Sequence, residues 1–232
     1  ITVNNLNQDH LECYGYDRNT APNICNFTEE NTKYTNAVSQ SVWSLPSTVS
    51  MFLSQYPEVH GVRSMQETIS DETTTMAEVF KENGYDTAGF VGNRECGGGH
   101  LKKRYGYDQG FETYNQRQPW FNTSVPRAIN WLEEREKDDR YFMFVHGYDP
   151  HTPYGDAETN KTFGKNYTGN LKRHNYIPAS LLTERPNGTT FSEKEKEYIR
   201  SIYDRDIAAA DKSIGRLLDY LEREGEMDET IV

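Results

Sequence analysis

The sequence predicts an α/β fold: a largely parallel sheet flanked by helices. Three observations predict it. Strand-like and helix-like stretches alternate along the 232 residues, as they do where crossover helices connect parallel strands. Arg140-Tyr141-Phe142-Met143-Phe144-Val145 is a continuous apolar run suited to a strand buried on both faces. Ile199, Ile202, Tyr203, Ile207, Ala210, Ile214, Leu217, Leu218 and Leu221 recur at intervals of three and four, the period of one long amphipathic helix.

Taken in order, Ile1-Thr2-Val3 reads as a strand, and Asn4 to His10 as a polar turn at its end. Thr20-Ala21-Pro22-Asn23 caps a short helix through about Glu30, with Ile24 and Phe27 as its expected buried face. Tyr34 to Val38 reads as a strand. Ser44-Leu45-Pro46 then opens a helix through Leu53, because a small hydroxyl residue and an early Pro precede an apolar run. Thr74 to Asn83 is a helix with Met76, Val79 and Phe80 on one side and Gly84 as its stop. Asp86 to Gly92 is a buried strand ending at Asn93, and Gly97-Gly98-Gly99 belongs to a loop without the spacing of a phosphate-binding P-loop. Ser124 is expected to cap the next helix, with Pro126 just inside. After the strand that ends at His146 comes Asp149-Pro150-His151-Thr152-Pro153-Tyr154. Residues 155–190 are polar and loop-like. A Ser192/Glu195 capping box opens the long helix, and Gly225 closes it. Thr230-Ile231-Val232 reads as the start of a further strand.

No composition break divides the chain, so a single domain over residues 1–232 is expected. The net charge of −11 argues against a nucleic-acid-binding surface. No stretch is long and apolar enough to span a membrane, and the start does not read as a signal peptide. Localisation and oligomeric state are left open. Cys13, Cys25 and Cys96 lack the spacing of a zinc site. A disulfide between two of them is one option, and buried free thiols are the default expectation. Asn-x-Ser/Thr occurs at Asn26, Asn122, Asn160, Asn166 and Asn187, too slight an excess over chance to establish glycosylation.

Sites in open parallel sheets form beyond the carboxyl ends of the strands. Three expected strands end in polar residues, at Asn4-Asn5, at Asn93 and at His146 to His151. Right-handed crossovers bring such ends to one edge. Ser44, at the positive end of a helix, is suited to meet an anion. The expectation is therefore a cluster of Ser44, Asn93 and His151. Each residue also has a plainer reading: a cap at Ser44, turn formers at Asn4, Asn5 and Asn93, and a rigid exposed turn at His151.

Several segments together resemble the sulfatase family of the alkaline phosphatase superfamily. They are residues 9–16, Ala21-Pro22-Asn23-Ile24, Trp43-Ser44-Leu45-Pro46-Ser47, Tyr56-Pro57 with His60-Gly61-Val62, residues 83–88, residues 107–111, residues 149–154 and residues 203–218. They run in the family's order over nearly the whole chain. The resemblance implies an alkaline phosphatase-like fold, of which this chain is an N-terminal portion incomplete at both ends. It implies hydrolysis of sulfate or phosphate esters beside a divalent cation, usually calcium. Ser44 stands at the nucleophile position, which carries formylglycine in sulfatases. His151 stands at the histidine that contacts the ester, and Asn93 where many members carry a substrate-binding Lys. Asn4 and Asn5 stand at the metal-binding end of the first strand.

Three departures temper that reading. Asn4 replaces an Asp, which lowers the charge and the cation affinity of the site. Thr48 replaces the Arg of the modification signal, so an unmodified Ser44 is expected rather than formylglycine. The family's second pair of metal ligands follows a strand like Thr230-Ile231-Val232, where this sequence stops. The expected partner is an anionic ester, a sulfated or phosphorylated small molecule or glycan. The rival readings are a phosphodiesterase or phosphotransferase with unmodified Ser44, and a non-catalytic relative that binds an anionic glycan.

Overall fold

A computed structural model describes residues 1–92, 101–137, 139–155, 163–173, 177–183 and 190–232. The expectations at Asn93, Cys96, Gly97-Gly98-Gly99, Asn160 and Asn187 lie outside the described residues. The chain groups into two compact units: residues 1–2, 34–119 and 123–147, and residues 3–33, 120–122 and 148–232.

A four-stranded sheet consists of β1 (Thr2–Val3), β2 (Asp86–Gly92), β3 (Thr113–Arg117) and β4 (Tyr141–Gly147), in the order β1-β4-β2-β3, and β2, β3 and β4 belong to the first unit. β2 pairs in parallel with both β3 and β4. Gly89 lies opposite Phe144 and Tyr114, and Val91 opposite His146. The two-residue alternation of strands then puts Val91, Phe142, Phe144 and His146 on one face. Leu45, Val49 and Phe52 of α2 (Ser44–Leu53) and Ala77 of α4 (Met76–Glu82) share a buried cluster with Val91 and Phe144. The Phe52 ring meets Phe144 edge-on at 4.9 Å. Burial of each such side chain stabilises the fold by about 1.5–3 kcal/mol. On the other face, Phe90 and Tyr141 meet Trp131 of α5 (Phe121–Glu134) at 6.3 and 6.1 Å. Helices therefore cover both faces of the parallel sheet, as the sequence predicts.

Local details depart from expectation where tertiary contacts override local signals. Residues 34–38 form no strand, and Tyr34 and Val38 are exposed; β-propensity without a paired neighbour does not make a strand. In α4, Ala77 is buried and Phe80 stacks on Phe142 at 4.5 Å, while Val79 faces solvent. α5 starts at Phe121, ahead of Ser124, so Pro126 lies inside the helix rather than at its start. The cause is a cap distant in sequence: the Asp149 carboxylate accepts the Phe121 N–H at 2.9 Å. Residues 230–232 are not a strand, and Ile231 is fully exposed without a sheet neighbour.

The second unit is organised on α7 (Glu193–Glu224), 32 residues long, with the expected Ser192/Glu195 capping box and Gly225 at φ 71° as its left-handed stop. Tyr203 and Ile207 pack with Leu11, Ala21 and Cys25. Tyr198 and Ile202 pack with Leu171 and Ile177. α7 also carries buried carboxylates that hold the surrounding chain. Asp204 accepts from Tyr16 at 2.9 Å and from Arg18 at 2.6 Å, and its other oxygen lies 2.6 Å from His10 Nδ1. Asp206 accepts the Gly155 N–H at 2.7 Å. Asp211 accepts the Ile24 N–H at 2.8 Å and so caps α1 (Pro22–Glu30). Ala21, within the expected capping segment, is the N-cap and makes no side-chain cap bond, and the Thr20 hydroxyl donates to the His10 carbonyl.

Cys13 and Cys25 form a disulfide, which corrects the expectation of free thiols. Cys25 is the buried residue of α1, where Ile24 and Phe27 were expected, and it faces the turn at Glu12–Tyr14. The two Cα atoms stand 5.3 Å apart, within disulfide range. Among the described residues, no helix is long and apolar enough to cross a membrane.

Candidate functional site

Ser44 is the first residue of α2, and Trp43 precedes it as the N-cap without a side-chain cap bond. Ser44 thus lies one position inside the helix rather than at the cap itself. The first four N–H groups of a helix have no partner within it and carry its positive end. Pro46 has no N–H to offer, and the Ser47 hydroxyl donates back toward the carbonyls of Ser41 and Trp43, 2.9 Å from each. The Tyr107 hydroxyl donates to the Leu45 carbonyl at 2.8 Å and fixes this first turn. Thr48 is buried.

Farther along α2, Ser50 Oγ lies 3.1 Å from His60 Nε2, and His60 Nδ1 accepts the Val62 N–H at 3.1 Å. Nδ1 accepts, so Nε2 carries the proton. Burial lowers the His60 pKa and keeps the ring neutral. This pair ties α2 to α3 (Pro57–His60), and its histidine–serine contact joins residues ten apart with no spacing that would announce it.

His151 lies in the turn after β4. Its N–H donates to the Tyr148 carbonyl at 2.8 Å, and its ring meets Tyr148 edge-on at 5.8 Å. Its Nδ1 lies 2.6 Å from the Thr152 carbonyl, which can only accept. Nδ1 therefore holds a proton, and Nε2 is the nitrogen suited to exchange one. Tyr148 is buried in a cluster with Trp120. Asp149, 1% exposed, has its pKa raised to about 7, because burial outweighs the opposing bonds from the Phe121 N–H and its own N–H. The sequence contained Asp149 beside His151 but gave no sign of this capping role.

Asn4 and Asn5 form the turn after β1, with Asn5 in the left-handed region at φ 59°. The Tyr203 hydroxyl donates to the Asn5 carbonyl at 2.5 Å and accepts the Asn7 N–H at 2.9 Å. Burial pushes the Tyr203 pKa up to about 12. Of the expected site residues, Ser44 belongs to the first unit, and Asn4, Asn5 and His151 belong to the second.

Among the described residues, no group of three or more His, Cys, Asp or Glu side chains could hold a metal ion. Calcium takes about six to eight oxygen ligands, and carboxylates set its affinity. Two neutral amides at Asn4 and Asn5, one with its backbone carbonyl engaged, do not fit that requirement by themselves.

The family profile described as Sulfatase matches residues 1–232. An ulvan-active sulfatase of Formosa agariphila is 26% identical over 246 aligned residues, covering 94% of this chain and 46% of that protein. An N-acetylglucosamine-6-O-sulfatase of Bacteroides thetaiotaomicron is 23% identical, covering 98% of this chain and 56% of that protein. The chain thus spans about half the length of the curated relatives it matches. The phosphonate monoester hydrolase of Agrobacterium radiobacter shares the fold with a TM-score of 0.72 at 16% identity, over 96% of this chain and 58% of that one. A structure described as a complex with its substrate D-glucosamine-2-N,6-O-disulfate matches with a TM-score of 0.68 at 17% identity, over 99% of this chain and 62% of that one. The fold is alkaline phosphatase-like, as the resemblance implied.

Proposed function

The chain belongs to the sulfatase family, and from that premise we propose that the whole protein hydrolyses sulfate esters on saccharides, with Ser44 as nucleophile and His151 as proton donor. The observation that carries this reading is the position of Ser44 at the first residue of α2, in a chain matched by the family from end to end. A helix start favours a developing anion, so the positive end of α2 would stabilise charge on the sulfuryl oxygens in the transition state.

In the first step the Ser44 Oγ–S bond forms, the Ser44 hydroxyl proton passes to solvent, and the S–O bond to the sugar breaks. The sugar oxygen takes a proton from Nε2 of the His151 imidazolium, and Thr152 holds the ring through Nδ1. Water then attacks the sulfur of the sulfo-serine and the S–Oγ bond breaks; of the two water protons one restores the Ser44 hydroxyl and the other returns to His151 Nε2 as sulfate leaves. An unmodified hydroxyl needs a base or another activator near neutral pH. With Thr48 in place of the signal's Arg, Ser44 is proposed to stay unmodified. The names of two relatives, an ulvan-active sulfatase and an N-acetylglucosamine-6-O-sulfatase, support a saccharide substrate. Asn93 is proposed to contact the substrate. Calcium is proposed as a requirement of the whole protein, with ligands beyond Asn4 and Asn5.

Sulfate release from sulfated mono- and oligosaccharides, compared with phosphate release from the matching phosphate esters, tests the reaction class in the whole protein. Sulfate release at least about tenfold faster supports the proposal. Faster phosphate release would transfer Ser44 to phosphoryl chemistry. Intact mass of the purified protein reads the Ser44 side chain directly, and calcium titration of activity reads the cation.

A further inference from the structure

The second unit holds a groove of about 900 Å3, within the ordinary size range of ligand sites. Its floor is the first turns of α7, including Lys194, Glu197 and Tyr198, and its wall is the segment 163–170. None of the residues proposed for ester hydrolysis lines it.

The groove is rigid where it needs to be. Arg18 donates to Ser201 at 3.1 Å and to buried Asp204 at 2.6 Å, pairs with Glu197, and stands over the Phe163 ring at 5.9 Å. The Tyr167 ring stacks on Tyr198 with centroids 4.2 Å apart and planes 13° from parallel. A side chain at Gly169 would collide with the Tyr167 ring and hydroxyl, so the wall closes tightly only with glycine there.

The charge in the groove runs against that of the molecule. The chain carries a net −11. Of the acidic side chains of the groove, Glu197 pairs with Arg18 and Arg200, while Glu195 keeps its charge and accepts from Ser192 N–H and Oγ at 2.8 Å each. Lys165 and Lys194 line the groove, are exposed, and have no ion pair among the described residues. The lining sets Arg18, Lys165 and Lys194 against Glu195 and Glu197, a positive excess on an acidic protein that favours an anion. Exposed Asn166, Thr168 and Asn170 beside them offer amides and a hydroxyl to a polyhydroxylated ligand.

We propose that this groove binds a sulfated polysaccharide chain at a second site, apart from the hydrolysis site, through Lys165 and Lys194. The choice of sulfated saccharide rests on the proposed function; the anion preference rests on the groove itself. Its role would be to hold polymer on the protein while a sulfate ester elsewhere on the same polymer is hydrolysed, raising its local concentration.

The test is affinity electrophoresis of the whole protein in native gels containing a sulfated polysaccharide, or the same polymer after chemical desulfation. The wild type should be retarded by the sulfated polymer and not by the desulfated one. Lys165→Gln/Lys194→Gln should weaken retardation about tenfold in apparent Kd, and Lys165→Arg/Lys194→Arg should restore it. Hydrolysis of a small aryl sulfate should be unchanged in both variants. If no protein hydrolyses the aryl sulfate but the charge-dependent retardation persists, the groove stands and the proposed hydrolysis fails. Equal retardation by both polymers, no retardation of the wild type, or retardation of the Gln variant equal to wild type would overturn the groove proposal.

Discussion

The Asp149 carboxylate accepts the Phe121 backbone N–H at 2.9 Å, which joins the turn that carries His151 to the start of α5. The bond explains why α5 begins ahead of its local cap signal. It also puts a buried ionisable group two residues from the proposed proton donor.

Burial raises the Asp149 pKa from 3.8 to about 7. A raised folded-state pKa means the folded protein holds the proton more tightly than the unfolded chain. The associated stability is fully present below pH 3.8 and is lost as pH rises through about 7. Asp149→Asn keeps an oxygen to accept the Phe121 N–H and removes the titration. Between about pH 5 and about pH 8, urea unfolding should show the wild type losing roughly 2–3 kcal/mol relative to this variant. A difference independent of pH would mean that Asp149 titrates as an ordinary carboxylate.

The Cys13–Cys25 disulfide closes a loop with a sequence separation of 12. Cross-linking a loop of that size stabilises a fold by about 3 kcal/mol. Cys13→Ser/Cys25→Ser should lower the thermal midpoint by roughly 6–12 °C. Peptide mapping without reductant should recover residues 13 and 25 linked. Recovery of both as free thiols would contradict the pairing.

The chain's larger organisation was legible in the sequence, and its long-range partners were not. The β2 and β4 strands and α7 announce themselves because burial imposes a period or a continuous apolar run, and the Ser192/Glu195 capping box is local by nature. The start of α5 was misplaced because its cap, Asp149, lies 28 residues away. The pairing of Cys13 with Cys25 over Cys96 depends on which turn α1 faces, and spacing does not encode that. Tyr34 to Val38 has the composition of a strand but no neighbour to pair with. At the candidate site, the helix start at Ser44 and the turn that carries His151 were legible through short local motifs. Asp149, and the Tyr107 bond to Leu45 that fixes the Ser44 turn, were not, because each acts through one backbone group distant in sequence.

Gly89 faces Tyr114 across the β2–β3 pair, and an added Cβ would sit 2.5 Å from Tyr114 Cδ2. Gly89→Ala should destabilise the protein by about 1–3 kcal/mol through overpacking. The cost should shrink by about 1 kcal/mol or more when Tyr114→Leu is also present, because the clashing ring is gone. Strict additivity in a double-mutant cycle would show that the ring is not what excludes a side chain at Gly89.

The central claim, that Ser44 performs the chemistry, is tested most directly by the rate of sulfate release from a sulfated saccharide by the whole protein carrying Ser44→Ala. Circular dichroism should show an unchanged fold, since only a hydroxyl at the start of α2 is removed. Release should fall by about a thousandfold or more against wild type. Release at the wild-type rate would remove Ser44 from the mechanism.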